Sequence, residues 1–362
     1  MKGQLLKKAA ALVLSALIVL GGLPLQPVAD LFGDLAITAS ADSETSVKYI
    51  GENGKELTTT DYTLLTGSEP VNENGDIELP GGTYVVDGTV SYSKRLLFKG
   101  DVNLILKDDA KLNLNLPSPY SLGILCYVDN NYRTLTVYGQ SEGTGEFNEI
   151  ATNYCVGIVC NDYTQYGGKV NVTSENNESL LVEKDFVFHD GELTANSLND
   201  FTVNVDFGNI YINGGKVSAT TSVRYGGAFI TQGCENGKIY FNGGTVEATT
   251  TNTEKDAEAI KCIQDVYFNG GTVTLNGKLT LEGNNYLNGG ILKVDTFDEY
   301  PFIITGTYSN GTKLYTGNYD PQTVTDWSKF IAELNGKTLL PVYKFTLPEN
   351  MEFCDEKSES LH

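Results

Sequence analysis

Between residues 208 and 295 the chain repeats itself. GNIYINGGKVSATTS at 208–222 returns as KIYFNGGTVEATT at 238, DVYFNGGTVTLNG at 265 and NYLNGGILKVD at 285. Self-similarity of this kind constrains the fold more than any other feature. Each copy is one supersecondary unit that cannot bury its own apolar face and must stack on its neighbours.

The second glycine of each copy gives a reference point. It falls at Gly215, Gly244, Gly271 and Gly290, and degenerate copies place it at Gly191 (FVFHDGELTA), Gly168 (QYGGKVNVT) and Gly145 (EGTGEFNEI). Around that glycine the apolar residues alternate: Ile210 and Ile212, Ile239 and Phe241, Val266 and Phe268 before it, and Val217 and Ala219, Val246 and Ala248, Val273 and Leu275 after it. Alternation marks strands with one face inward. A third strand fills the rest of each copy: GILC at 123, GIVC at 157, SLLV at 179, TVNV at 202, AFIT at 228, AIKC at 259, KLTL at 278 and FIIT at 302. Three short strands per copy, at steps of 19 to 29 residues, predict an all-β, single-stranded parallel β-helix, a solenoid with three short strands per coil.

Asn-Gly between alternating strands is also the strongest hairpin signal, so an antiparallel meander is the competing fold. A hairpin has mirror-image flanks. Here the flanks keep one order, aromatic before the turn and Val-x-Ala after it, so translation relates the copies.

Period two also assigns outward positions. Tyr211, Tyr240, Tyr267 and Tyr286 lie between inward residues, and stacking sets them in one line as a candidate platform for sugar rings. The alternative is that neighbouring aromatics merely stabilise the sheet. Asn213, Asn242, Asn269 and Asn288 share one turn position, where an amide tolerates the bend and bonds its counterpart one repeat away, giving a structural turn ladder. His189 occupies the same position, and a turn role outranks an active-site role for it.

The ends read differently. Lys2, Lys7 and Lys8, an apolar run from Ala9 to Leu20 and Ala39-Ser40-Ala41 form a secretory signal pattern over residues 1–41, so the chain is expected outside the cell, secreted or on the surface. No other apolar stretch is long enough for a membrane span, so no integral membrane segment is expected in the mature chain. Residues 42–82 carry a hairpin about Asn53-Gly54 in VKYIGENGKEL and read as an N-terminal cap region. The β-helix is assigned to 83–305. Within 306–362, Trp327, Phe330, Ile331 and Leu334 follow helical spacing, so a short amphipathic helix is expected as a cap, followed by a tail.

RLLFKGDVNLILKDDAKLNL, LTVYGQSEGTGEF and the INGGxVxA repeats resemble secreted, cell-surface β-helical repeat proteins of Gram-positive anaerobic bacteria described as carbohydrate-binding domain-containing. The resemblance covers roughly residues 46–320. It implies a cell-surface or secreted protein of largely uncharacterised role, whose carbohydrate label is itself an inference from fold analogy. Features of surface attachment such as LPxTG or paired dockerin loops are not found.

A net charge of −21 disfavours nucleic acid and anionic membrane as partners. An enzyme is the rival class, because a polysaccharide hydrolase needs carboxylates facing one cleft and a lyase a base near bound calcium. The nearest candidates, Asp108 and Asp109 in LKDDAKL, read as a solvated turn. No catalytic set, metal site or cofactor is assigned. Cys126 and Cys160 end equivalent strands, a spacing that permits a disulfide; buried free thiols are the favoured alternative. The sequence thus points to a non-enzymatic β-helix that binds glycan or adheres, with a polysaccharide lyase or glycoside hydrolase as the alternative and a structural spacer as the second. Its expected partner is a polysaccharide or host glycan.

Overall fold

The computed structural model describes residues 46–343 apart from 118–121, 153, 224–225, 233–236 and 255–256. The signal expected over 1–41 and the tail beyond 343 lie outside the described residues. The chain is all-β. Among the described residues, one large, mostly parallel sheet holds 29 strands, and a separate antiparallel pair joins Val47–Ile50 to Glu56–Thr59.

From Leu135 to Phe268 pairing follows a rule, a strand bonding the third strand after it and skipping the two between; beyond Phe268 the single strand Thr272–Leu281 serves two ladders, so only one strand is skipped. Phe186–Phe188 pairs with Ile210–Ile212, which pairs with Ile239–Phe241, Val266–Phe268 and Asn285–Leu287 in turn, all parallel. After the glycine, Glu146, Lys169, Glu192, Lys216, Thr245, Thr272 and Ile291 stand in one register. Every reference glycine, Gly145 included, therefore sits at one register position, although Gly145 alone lacks the left-handed φ of the other six. Ile212 pairs with Phe188 and Phe241, whereas Val217 pairs with Leu193 and Val246. The two strands flanking the Asn-Gly-Gly turn belong to different ladders, and the antiparallel meander is excluded there.

Inward residues make a single core. Ile212, Phe241, Val246 and Ala248 are buried, while Thr245 is exposed, as the alternation requires. The two glycines of each turn have different causes. A Cβ on the first, at Gly243, would lie 2.4 Å from the carbonyl oxygen of Asn213 in the preceding repeat. The second, Gly244, has φ +74°, where only glycine is unstrained.

Three expectations need adjusting. FIIT does not continue the third ladder: Phe302, Ile303 and Ile304 pair with Asn285, Tyr286 and Leu287, so they extend the tyrosine ladder. The third ladder ends instead at Thr296 and Phe297, which lie on the same continuous strand as Ile291. Parallel pairing starts before Thr83, since Thr63 already pairs with Tyr84. Period two would turn the middle residues of the third strands outward, yet Leu97, Leu125, Val159, Asn204 and Ile230 are buried, whereas Leu181 is half-buried and Lys261 exposed. Leu97, Leu125 and Val159 form a small second cluster with Val156, flanked by Tyr127 and Tyr132 of an antiparallel hairpin.

At the C-terminal end the parallel strands meet antiparallel ones. Leu314–Tyr319 pairs with Phe302–Ser309, and Leu339 of Thr338–Pro341 pairs with Leu292. The helix Trp327–Leu334 is capped by the Asp326 side chain, which accepts from Lys329 N at 3.0 Å. Its buried face of Trp327, Phe330, Ile331 and Leu334 packs on Phe302, with the Phe302 and Phe330 rings 5.6 Å apart.

Candidate binding face

Three parallel columns of side chains share the outward side of the tyrosine ladder and its turn. The middle column is Tyr211, Tyr240, Tyr267 and Tyr286, paired in register, each half-buried between inward neighbours. Their ring centroids are 4.9, 4.7 and 4.4 Å apart and the planes lie within 9° of parallel. Stacking brings the four rings together as the sequence predicts, but it overturns the flat platform of ring faces. Tyr240 and Tyr267 have a neighbouring ring against each face. What the column offers outward is ring edges and phenol oxygens.

The second column lies at the turn. Asn242, Asn269 and Asn288 each donate an amide N–H to the Oδ1 of the Asn one repeat earlier, at 2.8, 2.7 and 2.8 Å. Thr305 closes the far end, its hydroxyl donating to Asn288 Oδ1 at 2.9 Å. At the near end Asn213 Nδ2 lies 3.4 Å from His189 Nδ1. His189 stacks on Tyr166 at 4.6 Å, and Tyr166 on Tyr138 at 5.4 Å, so amides and aromatic rings form one continuous line. Burial holds the imidazole below the usual histidine range despite the opposing charge of Glu52.

The third column was missed by the sequence analysis. Asp162, Asp185, Asn209 and Asp265 precede the tyrosine-ladder strands. Their side-chain oxygens accept backbone N–H groups of the next repeat: Asp185 from Asn209 N at 2.8 Å, Asn209 from Lys238 N at 3.0 Å, Asp265 from Asn284 N at 2.9 Å. The signal was legible as a polar residue two positions before each tyrosine, at Asn209, Lys238, Asp265 and Asn284. Burial pushes the Asp265 carboxyl up, but the Lys238 ammonium 2.9 Å away and the Asn284 amide outweigh it and hold it below the carboxylate range. Tyr267 donates to Asp265 at 3.2 Å, tying this column to the rings.

Beside the near end of the amide column opens a groove of about 550 Å³, with Gln140, Tyr166, Lys169, Asp190, Glu192 and Lys216 among its walls. Lys216 and Glu192 pair across adjacent strands at 2.6 Å.

The other candidates take structural places. Asp108 accepts from Glu142 N at 3.2 Å and Thr144 N at 3.3 Å, and Asp109 has φ +62°. Both build a turn and its neighbouring loop. Cys126 and Cys160 are buried free thiols rather than a disulfide, and burial pushes both thiols well above the usual range. Among the described residues, no group of three His, Cys, Asp or Glu is placed to hold a metal, and no helix is long and apolar enough to cross a membrane. No protein-family model, curated protein or solved structure matches the chain.

Proposed function

We propose that the chain is an extracellular, non-enzymatic parallel β-helix, three short strands per coil, that binds polysaccharide along the face carrying Tyr211, Tyr240, Tyr267 and Tyr286. The coil reading is supported by the pairing of each strand with the third one after it, in one register. The extracellular placement rests on the leader pattern over 1–41 and on the resemblance to secreted β-helical proteins of Gram-positive anaerobes.

One observation carries the binding reading: an exposed amide column runs beside the tyrosine column. Each interior Asn gives one N–H and one lone pair to its neighbours and keeps one of each for a ligand. A hydroxyl-rich polymer lying along the columns meets a donor, an acceptor and a ring edge at every repeat, roughly 4.8 Å apart. Each contact is weak, and affinity accumulates along the polymer.

A spacer role is the second reading, favoured by the ring stacking itself. Faces spent on one another add about 0.5–1.5 kcal/mol per pair to the sheet and offer nothing to a sugar. A lyase or hydrolase has less support, because the Asp108 carboxylate is already engaged by backbone N–H groups.

Screening the folded chain against a panel of polysaccharides, for retention and for release of reducing ends, separates the three. Retention without release is expected. The double variant Tyr240→Thr/Tyr267→Thr should fold and be retained more weakly in affinity gels; unchanged retention would take the tyrosine column out of the binding account.

A further inference from the structure

The amide column has a direction. Every bond points the same way: Thr305 donates to Asn288, Asn288 to Asn269, Asn269 to Asn242 and Asn242 to Asn213. Asn213 therefore turns its N–H toward His189 Nδ1. That assigns Nδ1 as the acceptor and leaves the proton of the neutral ring on Nε2.

We propose that His189 sets the hydrogen-bond polarity of this column and reverses it when the ring takes up a proton. A protonated imidazole carries N–H on both nitrogens, so Nδ1–H would then face the N–H of Asn213. Turning the Asn213 amide over removes that conflict and moves it to Asn242, where two N–H groups would meet. Only when all four amides have turned is the conflict gone. At the far end Thr305 absorbs the change, since a hydroxyl that donates to Asn288 Oδ1 can equally accept from Asn288 Nδ2. The two arrangements contain the same number of hydrogen bonds. Oxygen and NH₂ are close in size, so the reversal needs no repacking. A two-state element with a proton at one end is what a pH-dependent surface requires.

The groups around the ring are few. Tyr166 covers it by stacking, and Asn213 meets its edge. Glu52, in the turn of the N-terminal hairpin, favours the cation, and burial opposes it more strongly. The Asp190 carboxylate is turned to Gly191 N at 2.7 Å. The reversal is thus expected on the acid side of ordinary histidine titration.

The consequence for binding rests on the polysaccharide reading above. Reversal exchanges the free N–H and the free lone pair on each amide, so a polymer fitted to one arrangement meets the opposite pattern in the other. His189 would in this way decide which hydroxyl orientations the face accepts.

Neutron diffraction from deuterium-exchanged crystals at about pH 8 and about pH 5 sees the amide deuterons directly. The expected result is ND₂ of Asn213 toward His189 at the higher pH and toward Asn242 at the lower, with Asn242, Asn269 and Asn288 turned likewise. In solution, selectively ¹⁵N-labelled Asn side chains should shift with one midpoint shared with the His189 ring. In His189→Asn, which places in this repeat the residue the next four use, the shared transition should be absent. Movement of Asn213 alone, or of none, in the wild-type chain would overturn the proposal. Retention on a polysaccharide, measured at the same two pH values, should differ several-fold in the wild type and not in His189→Asn. Reversed amides with no retention at either pH would leave the switch standing and remove the glycan reading. Retention with no reversal would do the opposite.

Discussion

One line of side chains along the sheet is built in two chemistries. Val85, Ile105, Tyr138, Tyr166 and His189 occupy the position that Asn213, Asn242, Asn269 and Asn288 occupy further on. The backbone is the same in both stretches, parallel and in register. What differs is the cover. Val85 and Ile105 are fully buried under Val47 of the N-terminal hairpin, with Tyr49 packed edge-on to Tyr138 at 4.8 Å. The Asn bonds are exposed. Where another element covers the line its residues are apolar and individual; where water covers it they must satisfy one another, and identical amides do that best. His189, half-buried and amphipathic, stands at the junction.

The largest test of this contrast places one acid in each stretch. Ile105→Asp buries a carboxylate with no partner and should cost roughly 3–5 kcal/mol. Asn242→Asp replaces one donor in an exposed line and should cost about 1 kcal/mol. Urea unfolding of the two variants measures the difference. Equal losses would mean that the hairpin does not seal the covered stretch.

The contrast also explains what could be read in advance. In the exposed stretch every repeat faces only its own copies, so the sequence repeats and the register can be counted from Gly215, Gly244, Gly271 and Gly290, with degenerate glycines carrying the count back to Gly145 in the covered stretch. In the covered stretch the neighbours differ. The column of Val85, Ile105, Tyr138 and Tyr166 has no sequence motif, and the start of parallel pairing at Thr63 was missed for the same reason. FIIT was misplaced because its composition suits either ladder; Ile291–Phe297 already supplies the third ladder, so FIIT falls on the tyrosine ladder. The tyrosine and Asn columns were legible from period two. The mutual covering of the tyrosine faces was not, because it depends on ring tilt, which alternation does not encode.

The core varies along its own column. The fourth residue after the glycine is Ala195, Ala219 and Ala248 in the middle repeats, but Leu114, Glu149 and Val172 before them and Leu275 and Val294 after them. Glu149 is 2% exposed and neither carboxylate oxygen has a hydrogen-bond partner. It occupies the space that a Cβ on Gly123 would need. Burial pushes its carboxyl well above the ordinary range, so the folded chain holds the acid protonated where the unfolded chain has released it. Stability is therefore complete below the unfolded value of about 4.3 and falls as pH rises toward the folded one, by up to about 1.4 kcal/mol per pH unit. Glu149→Gln keeps the shape and cannot ionise. Its melting temperature should match the wild type below about pH 4 and exceed it increasingly as the pH rises from there toward the folded value. Parallel curves would show that Glu149 has found a partner or water.

The finest test compares two glycines with one backbone conformation. Gly88, in the early repeats, has φ +75°, and a Cβ there would meet nothing within 4 Å. Gly244 has φ +74°, but its Cβ would lie 2.3 Å from the carbonyl oxygen of Gly214 in the preceding repeat. Alanine at either site incurs the left-handed strain of about 1–2 kcal/mol. Only at Gly244 does it also force two turns apart, which should add roughly 1–3 kcal/mol. Because the strain is common to both, the difference between Gly244→Ala and Gly88→Ala isolates the cost of turn-on-turn contact. Denaturant midpoints with equal m-values would give that difference directly. If the two variants lose the same stability, the paired glycines serve the bend alone, and close stacking of the turns is not what keeps Gly-Gly in every exposed repeat.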